Sequence, residues 1–275
     1  LPRALLGLMI GATLGLAGAA MQGYLRNPLA EPGIIGISSS ASLGAVLALQ
    51  SGLAAALPLA LPLSALGGAA AAVLLILLLA GPRGGALGLI LAGIAISALA
   101  GALTSLVLNL SPNPFAAMEI VFWMMGSLAD RSMQHVWLAA PFMLAGAALL
   151  LSLGRGLDAL TLGEDAAAAM GVNLGRLRWG VILGTALAVG AGVAVAGAVG
   201  FVGLIVPHLL RPLVGARPSH LLPASALGGA AMVLAADVAV RLLAPDRDLK
   251  LGVLTAIIGA PFFLHLIWRL RAEEA

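Results

Sequence analysis

Two long stretches without charge constrain the fold of this chain more than any other feature of its sequence. No Asp, Glu, Lys or Arg occurs between Ile34 and Arg83, or between Gly84 and Met118. A helix needs about 20 predominantly apolar residues to cross a bilayer. Of the 275 residues, 61% are hydrophobic and 9% are charged, whereas a soluble domain has about 25% charged residues. The sequence therefore excludes an ordinary soluble fold and predicts a protein that crosses a membrane several times.

The apolar stretches are predicted to be helices. Alanine, leucine and glycine dominate them, whereas the strands of a membrane barrel would show short segments of alternating polarity. Breaks at Pro, Gly and charged residues divide the chain into nine predicted spans, one of them short. These cover residues 3–22, 34–50, 57–80, 86–109, 135–153, 178–198, 201–214, 224–243 and 251–270. The predicted fold class is an all-α polytopic membrane protein in which residues 1–275 form a single transmembrane domain.

The basic residues indicate the orientation, because cytoplasmic loops of membrane proteins are enriched in Lys and Arg. If the segment QGYLRNPLAEPG, residues 22–33, is cytoplasmic, nine basic residues fall inside and five outside. The inner ones are Arg26, Arg83, Arg155, Arg176, Arg178, Arg211, Arg217, Arg269 and Arg271, and the outer ones are Arg3, Arg131, Arg241, Arg247 and Lys250. This orientation predicts a cytoplasmic C-terminus and an outer Leu1. Because the chain starts Leu-Pro-Arg without an initiator Met, we expect a segment ahead of it.

Glycines at four-residue steps predict close helix packing. Gly7, Gly11 and Gly15 follow this spacing, as do Gly180 and Gly184. Small residues at such steps allow helix backbones to approach each other within a bilayer. Chance alone also produces such spacings in a chain with 36 glycines, so the spacing predicts tight packing but no dimer surface.

The longest charged stretch outside the predicted spans is GRGLDALTLGEDAAAAMGVNLGRLRW, residues 154–179. Its apolar positions alternate with Asp158, Glu164 and Asp165, and glycines interrupt the pattern, which predicts two short helices joined by a glycine turn. The predicted topology places this stretch in the cytoplasm. It is either a solvated loop or a surface for a partner, and the helical pattern favours the partner surface.

The sequence contains no evident energy source for transport. Ion-coupled carriers normally hold ionisable residues near the membrane midplane, whereas the clearest intramembrane charges here are Asp237 and Arg241, whose i, i+4 spacing lets them pair. The nucleotide-binding motif G-x-x-x-x-G-K-[ST] is absent from the sequence. No run of five like charges suggests a nucleic-acid surface. A motor would therefore be another polypeptide, acting on residues 154–179.

Five separated segments resemble the permease subunits of ABC importers for ferric siderophores, haem and cobalamin. They are GAAMQGYLRNPLAEPGIIGISSSASLGA (18–45), FWMMGSLADRS (122–132), LGEDAAAAMGVNLGRLR (162–178), VGFVGLIVPHLLRPLVG (199–215) and LGVLTAIIGAPFFLHLI (251–267). The resemblance runs from the Leu-Pro-Arg start to the C-terminus, with the segments in the family's order. It implies a ten-helix permease fold whose first helix, ahead of Leu-Pro-Arg, is absent from this sequence.

The resemblance also implies a bacterial inner-membrane importer assembled from several chains. The partners would be a second copy of this chain, two cytoplasmic ATPase subunits that bind ATP, a periplasmic binding protein that delivers the cargo, and the lipid bilayer. Nucleic acid is not among them. The chain itself would be a non-catalytic permease without a permanent cofactor, and it would move its cargo by alternating access.

Candidate site residues follow from the same resemblance. The residues that would couple the permease to the ATPase are Asp158, Glu164, Asp165, Gly171, Asn173 and Arg176. Arg3 and Arg247 would meet carboxylates of the binding protein, although they would also suit helix ends anchored at the membrane interface. The two short helices predicted in residues 154–179 would be the cytoplasmic coupling helices. Arg26, Asn27 and Pro28 would lie at the cytoplasmic mouth, where they would line the gate, brace the coupling helices or only turn the chain.

The expected cargo is haem. The segment FWMMGSLADRS resembles haem-importing members most, and Met124, Met125 and Met133 offer adaptable apolar contacts for a flat macrocycle, although methionines also serve as ordinary packing residues. A ferric siderophore or cobalamin is the alternative cargo, and an ion-coupled secondary carrier is a more remote alternative. An intramembrane enzyme would need a converging nucleophile or metal set, whereas the acids here lie mostly at span ends or in loops.

Overall fold

Helices make up most of the part of the chain that the computed structural model describes, which is residues 1–57, 59–80, 85–243 and 249–274. No β-strand occurs within these residues, and the predicted all-α class is confirmed. A 3₁₀ helix at Pro32–Ile35 precedes the second of the α-helices. The α-helices are α1 (Pro2–Leu25), α2 (Ile37–Gln50), α3 (Leu53–Ala56), α4 (Ala60–Ala80), α5 (Ala86–Asn109), α6 (Pro114–Met124), α7 (Met133–Ser152), α8 (Gly154–Leu160), α9 (Glu164–Ala169), α10 (Leu174–Ala196), α11 (Val202–Leu210), α12 (Pro218–Leu243) and α13 (Leu251–Glu274).

Six of the described helices are long and apolar enough to cross a membrane, namely α1, α4, α5, α7, α10 and α12. The apolar helix α2 and the apolar part of α13 are shorter, and α11 has only nine residues. Each of the nine predicted spans overlaps one of these nine helices. The multi-pass architecture is therefore confirmed, while the number of complete crossings stays a prediction.

Prolines and short helices account for the main differences from the predicted bounds. α12 begins at Pro218, ahead of the predicted start at residue 224, because a proline in the first helical turn forgoes no intrahelical hydrogen bond. α3 and α6 have no counterpart among the predicted spans, because both are too short to cross a membrane. α6 nevertheless has a recognisable start, since the Asn113 side chain accepts a hydrogen bond from the N–H of Phe115 and Pro114 occupies the first position.

Close backbone contact between α1 and α12 lies at the centre of the fold. α1 also contacts α7, α10 and α11. A Cβ atom on Gly11 would collide with the backbone carbonyl of Gly229, and one on Gly15 would collide with the carbonyl of Ser225. The same holds in reverse for Gly229 against Gly11. The close packing that the glycine spacing predicts for α1 is confirmed, and its partner is α12.

The second glycine pair brings α10 against α7. A Cβ on Gly180 would lie 2.8 Å from a methyl carbon of Leu153, and one on Gly184 would lie 2.7 Å from the Cγ atom of Leu150. Here the glycines make room for leucine side chains of the neighbouring helix. Both predicted glycine faces therefore serve packing within the chain.

Candidate functional site

Residues 26–36 connect α1 to α2 and form a tight turn before the chain enters the next helix. Arg26 ends α1 with a φ of 50°, and its N–H bonds the carbonyl of Gln22. The side-chain oxygen of Asn27 accepts a hydrogen bond from the N–H of Leu29 at 2.9 Å, which is an Asx turn. Arg26 and Asn27 are exposed and Pro28 is half-buried. The turn is thus explained by these residues, and their place at the cytoplasmic mouth stays a prediction.

Gln22 joins this turn region to α11. Its side chain is 1% exposed. The Nε2 atom donates to the carbonyl oxygens of Gly203 and Leu204, each at 3.4 Å. The Oε1 atom accepts a hydrogen bond from Nη2 of Arg211 at 2.7 Å. Gln22 is not among the predicted site residues, although a glutamine between apolar helical residues is a signal that its amide has partners elsewhere in the fold.

Glu31 holds the start of α11. Phe201, the residue immediately ahead of α11, has a φ of 66°, a conformation that L side chains rarely adopt. Its backbone N–H donates a hydrogen bond to the Glu31 carboxylate. Burial raises the pKa of the Glu31 carboxyl above its ordinary value, and the Phe201 N–H opposes that rise by stabilising the charged form. Two conspicuous sequence segments, around residues 22–33 and 199–215, are therefore in direct contact.

The stretch 154–179 contains the two short helices that its sequence predicts, α8 and α9. Gly163 lies between them with a φ of 108°, and Gly171 follows α9 with a φ of 84°, both values at which glycine is favoured. On their inner side, Leu157 and Ala167 are completely buried. The pair is therefore a folded element anchored to the remainder of the protein and not a solvated loop.

The opposite side of this helix pair is exposed, and we call it the coupling surface. Its residues are Thr161, Leu162, Glu164, Asp165, Met170, Gly171, Asn173 and Arg176. Leu162 is 69% exposed and Met170 is 64% exposed. Large apolar side chains exposed among charged residues are candidates for contact with another molecule. Neither residue is among the predicted coupling residues, although each is a large apolar residue next to a short helix in an otherwise charged segment.

Several of the predicted coupling residues also hold the ends of helices. The Asn173 side chain accepts the N–H of Arg176 at 2.9 Å and caps α10. Glu164 and Asp165 occupy the first turn of α9, where their negative charges interact favourably with the unpaired N–H groups at the helix start. Their contact with an ATPase stays a prediction.

Asp158 has its contacts within the chain. Its Oδ1 atom accepts the N–H of Ser219, in the first turn of α12, at 2.8 Å, and its Oδ2 atom lies 3.3 Å from Nε of Arg217. A cavity of about 660 Å³ lies beside these residues, lined by Arg155 and Met170 among others. Asp158 therefore fixes α8 against the start of α12, and any role in coupling would be exerted through that contact.

Substitutions of Asp158 should separate its capping role from its charge. Asp158→Ala removes the acceptor for the Ser219 N–H, so we expect a loss of about 1 kcal/mol in the free energy of unfolding. Asp158→Asn retains an acceptor and should cost less, because the ion pair with Arg217, whose side chain is 63% exposed, contributes little. Thermal unfolding of the detergent-solubilised protein would measure both. Equal losses in the two variants would contradict the capping role.

On the opposite side of the fold, Arg3 belongs to a cluster of three charges. Its Nε atom lies 2.8 Å from Oδ1 of Asp237, and Nε of Arg241 lies 3.5 Å from Oδ2 of the same carboxylate. The Asp237 side chain is only 5% exposed, whereas that of Arg3 is 32% exposed. The predicted pairing of Asp237 with Arg241 is confirmed, and Arg3 joins it from α1. The other predicted docking residue, Arg247, lies outside the described residues, as does Arg83.

The segment 122–132 forms the end of α6 and the turn that leads to α7. Part of it lines a pocket of about 530 Å³ that also contains Glu119, His135 and Lys250. The ammonium of Lys250 lies 5.7 Å from the centre of the Phe122 ring. Burial lowers the pKa of Arg131 below its ordinary value, and the neighbouring Asp130 opposes this change. The pocket thus combines aromatic surface with charges of both signs.

Known proteins match nearly the whole chain. The model of the FecCD transport family matches residues 1–269. The hemin transport system permease protein HmuU of Yersinia pestis is 39% identical over 100% of this chain and 83% of its own length. The Fe(3+) dicitrate transport system permease protein FecD of Escherichia coli is 41% identical over 98% of this chain and 84% of its own. The vitamin B12 import system permease protein BtuC of Vibrio cholerae is 40% identical, with coverages of 98% and 81%.

The fold agrees with these matches. A solved structure of a metal-chelate type ABC transporter in an inward-facing conformation has a TM-score of 0.90 and 39% sequence identity to this chain, and the match covers 98% of this chain and 85% of that one. Because the family model, the relatives and this structure all match nearly end to end, the chain belongs to the FecCD transport family and is an ABC importer permease.

Proposed function

We propose that this permease moves haem across the bacterial inner membrane, as a pair of identical chains that receive the cargo from a periplasmic binding protein and are driven by two ATPase subunits. The observation that carries the choice of haem is the similarity to HmuU over 100% of the chain. The permease itself is non-catalytic, since its relatives are named as permease subunits and the ATPase is a separate chain.

A ferric siderophore or cobalamin is the second candidate cargo. Two observations favour it, namely that FecD is 41% identical and BtuC of Vibrio cholerae 40% identical to this chain. Met133 packs against the hydrophobic core, which also weakens the argument that a methionine cluster receives a macrocycle. The alternatives therefore differ in cargo and share the transport mechanism.

The contacts of the described charged residues support an external motor. Asp237 is held between Arg3 and Arg241, so the buried carboxylate of this cluster already has two cationic partners, which argues against its binding a coupling ion. The coupling surface instead offers an exposed, folded docking element. In our proposal the ATPase binds there and its closure reopens the permease pair toward the opposite side of the membrane.

The orientation in the proposal follows from charge. Arg155, Arg176 and Arg217 are exposed next to the coupling surface, which fits the enrichment of arginine on the cytoplasmic side. In our proposal the C-terminus, which follows α13, lies in the cytoplasm. Arg3 and Asp237 then lie on the periplasmic side, where Arg3, together with Arg247, would meet carboxylates of the binding protein.

ATPase activity of the reconstituted complex tests the cargo. The permease with its ATPase would be placed in lipid vesicles and given binding proteins loaded with haem, a ferric siderophore or cobalamin. We expect stimulation by the haem-loaded protein. Stimulation by another loaded protein alone would reject haem and retain the importer. Cargo uptake by vesicles that contain only this chain and an ion gradient would reject ATP-driven import in favour of a secondary carrier.

Docking of the binding protein should respond to the charge of Arg3. Arg3→Gln removes the positive charge of Arg3, while Asp237 keeps its ion pair with Arg241. We expect docking at low salt to weaken about fivefold, the equivalent of about 1 kcal/mol, and to become less sensitive to salt. Surface-immobilised permease in nanodiscs and a salt series would measure this.

The matched control is Arg241→Gln, which removes a guanidinium from the same carboxylate without touching the predicted docking residue. This variant should dock like the wild type. If Arg3→Gln docks with wild-type affinity and wild-type salt dependence, Arg3 belongs to the internal charge cluster alone.

A further inference from the structure

One carbonyl in the first turn of α11 lacks a donor within its own helix. α11 contains Pro207, and a proline has no N–H to donate to the carbonyl four residues earlier. That carbonyl belongs to Gly203. The Nε2 atom of Gln22 lies 3.4 Å from the Gly203 carbonyl oxygen. A side chain of α1 therefore supplies the hydrogen bond that α11 cannot form by itself.

Glycines allow α1 to approach close enough for this contact. A Cβ on Gly18, one helical turn before Gln22, would collide with the Gly203 carbonyl. From the other side, a Cβ on Gly203 would lie 2.8 Å from Cδ of Pro32. The first turn of α11 is thus enclosed by α1 and by the segment that leads to α2. Its position depends on those two elements as much as on its own helical bonds.

The oxygen atom of the Gln22 amide begins a series of contacts that reaches the coupling helices, α8 and α9. Its Oε1 atom accepts Nη2 of Arg211, the residue that follows α11. Arg211 begins a turn that closes on itself, since the N–H of Ala216 bonds the Arg211 carbonyl at 3.0 Å. Just after that turn, the N–H of Ser219 donates to Asp158 of α8 at 2.8 Å, and Arg217 lies beside the same carboxylate. A continuous series of contacts therefore connects α8 with the first turn of α11.

We propose that Gln22 and Arg211 are positioning residues that transmit motion of the coupling helices to α11. The proposal rests on ATP-driven import, the proposed function. α11 has only nine residues and contains Pro207, so its neighbours contribute to holding it in position. When the motor moves α8, the contact between Gln22 and Arg211 keeps the turn, α1 and the Pro207-interrupted helix together, so that α11 moves with them.

The amount of cargo transported per ATP hydrolysed tests this role. Gln22→Met keeps the length of the side chain but removes its three hydrogen bonds, and we expect transport per ATP to fall about tenfold in the reconstituted complex. Arg211→Lys retains a donor that can reach Gln22 and should fall less than Arg211→Met. A merely structural role would reduce the yield of folded complex and leave transport per ATP unchanged.

Gln50→Met is the matched control. Gln50 accepts a hydrogen bond from the Ser111 hydroxyl at 3.1 Å, at the end of α2, with no contact to α11 among its described hydrogen bonds. This variant should keep wild-type transport per ATP. If Gln22→Met does not fold, Arg211→Met carries the same expectation, because it leaves the bond to Gly203 in place.

The outcomes separate this inference from the proposed function. Wild-type transport per ATP in both Gln22→Met and Arg211→Met would overturn the positioning role while import continues. A wild-type complex in which no loaded binding protein stimulates the ATPase would instead overturn ATP-driven import itself. A selective fall in transport per ATP in the Gln22 and Arg211 variants, with the Gln50 control intact, would support the inference.

Discussion

Gly15→Ala is expected to lower the free energy of unfolding of this permease by about 2–3 kcal/mol, the typical cost of inserting atoms into a closely packed core. The new methyl group would collide with the backbone carbonyl of Ser225 and lie 3.3 Å from Cα of Gly229. Both obstacles belong to the backbone of α12, which cannot rotate away as a side chain can. The two helices would have to separate, and α1 would lose contacts along its length.

Gly67→Ala on α4 is the matched control for this prediction. A Cβ on Gly67 meets no heavy atom within 4 Å, so the same substitution should raise helix stability by about 1 kcal/mol or leave it unchanged. Thermal unfolding in detergent, together with the fraction of monodisperse protein by size-exclusion chromatography, would measure both. If Gly15→Ala were as stable as Gly67→Ala, the backbone contact between α1 and α12 would be wrong.

The glycines show what a sequence can and cannot predict about packing in a membrane. Their four-residue spacing predicts that α1 approaches another helix closely, because small residues on one face are what such an approach requires. The spacing contains no information about the partner. Gly11 meets Gly229 only because the chain folds α12 back against α1.

The charged residues also show that a sequence predicts local contacts better than contacts between distant segments. The i, i+4 spacing of Asp237 and Arg241 predicts their local pair, since helix geometry alone brings them together. Arg3 lies 234 residues from Asp237 in the sequence, and only the tertiary fold joins them. Arg3 was therefore predicted as a docking residue without its internal partner. Its exposed fraction of 32% leaves room for both contacts.

The turn between α1 and α2 shows the same difference between local and remote contacts within the candidate site. Its sequence predicts a chain reversal, because Asn27 and Pro28 favour one in any context. The roles of Gln22 and Glu31 could not be predicted in this way. Gln22 donates a hydrogen bond to the Gly203 carbonyl of α11, and Glu31 accepts one from the N–H of Phe201. Both contacts depend on a segment that is remote in the chain.

Replacing the two exposed apolar residues of the coupling surface should have the largest effect on function. Leu162→Gln together with Met170→Gln keeps side chains of similar size but makes both polar. Burying one such apolar side chain is worth about 2 kcal/mol, so we expect ATPase affinity to fall by at least about a hundredfold when both are changed. Co-purification with the ATPase and stimulated ATP hydrolysis would both decrease.

Stability should change little in this variant, because Leu162 and Met170 are 69% and 64% exposed and contribute little to the core of the isolated chain. This separates loss of docking from loss of folding. The matched control exchanges the two residue types, Leu162→Met with Met170→Leu, which retains the apolar surface and should retain ATPase binding. If the glutamine variant bound the ATPase as tightly as this control, the exposed side of α8 and α9 would not be the docking surface. Contact through the buried side would then require α8 and α9 to rearrange, since Leu157 and Ala167 hold that side against the rest of the protein.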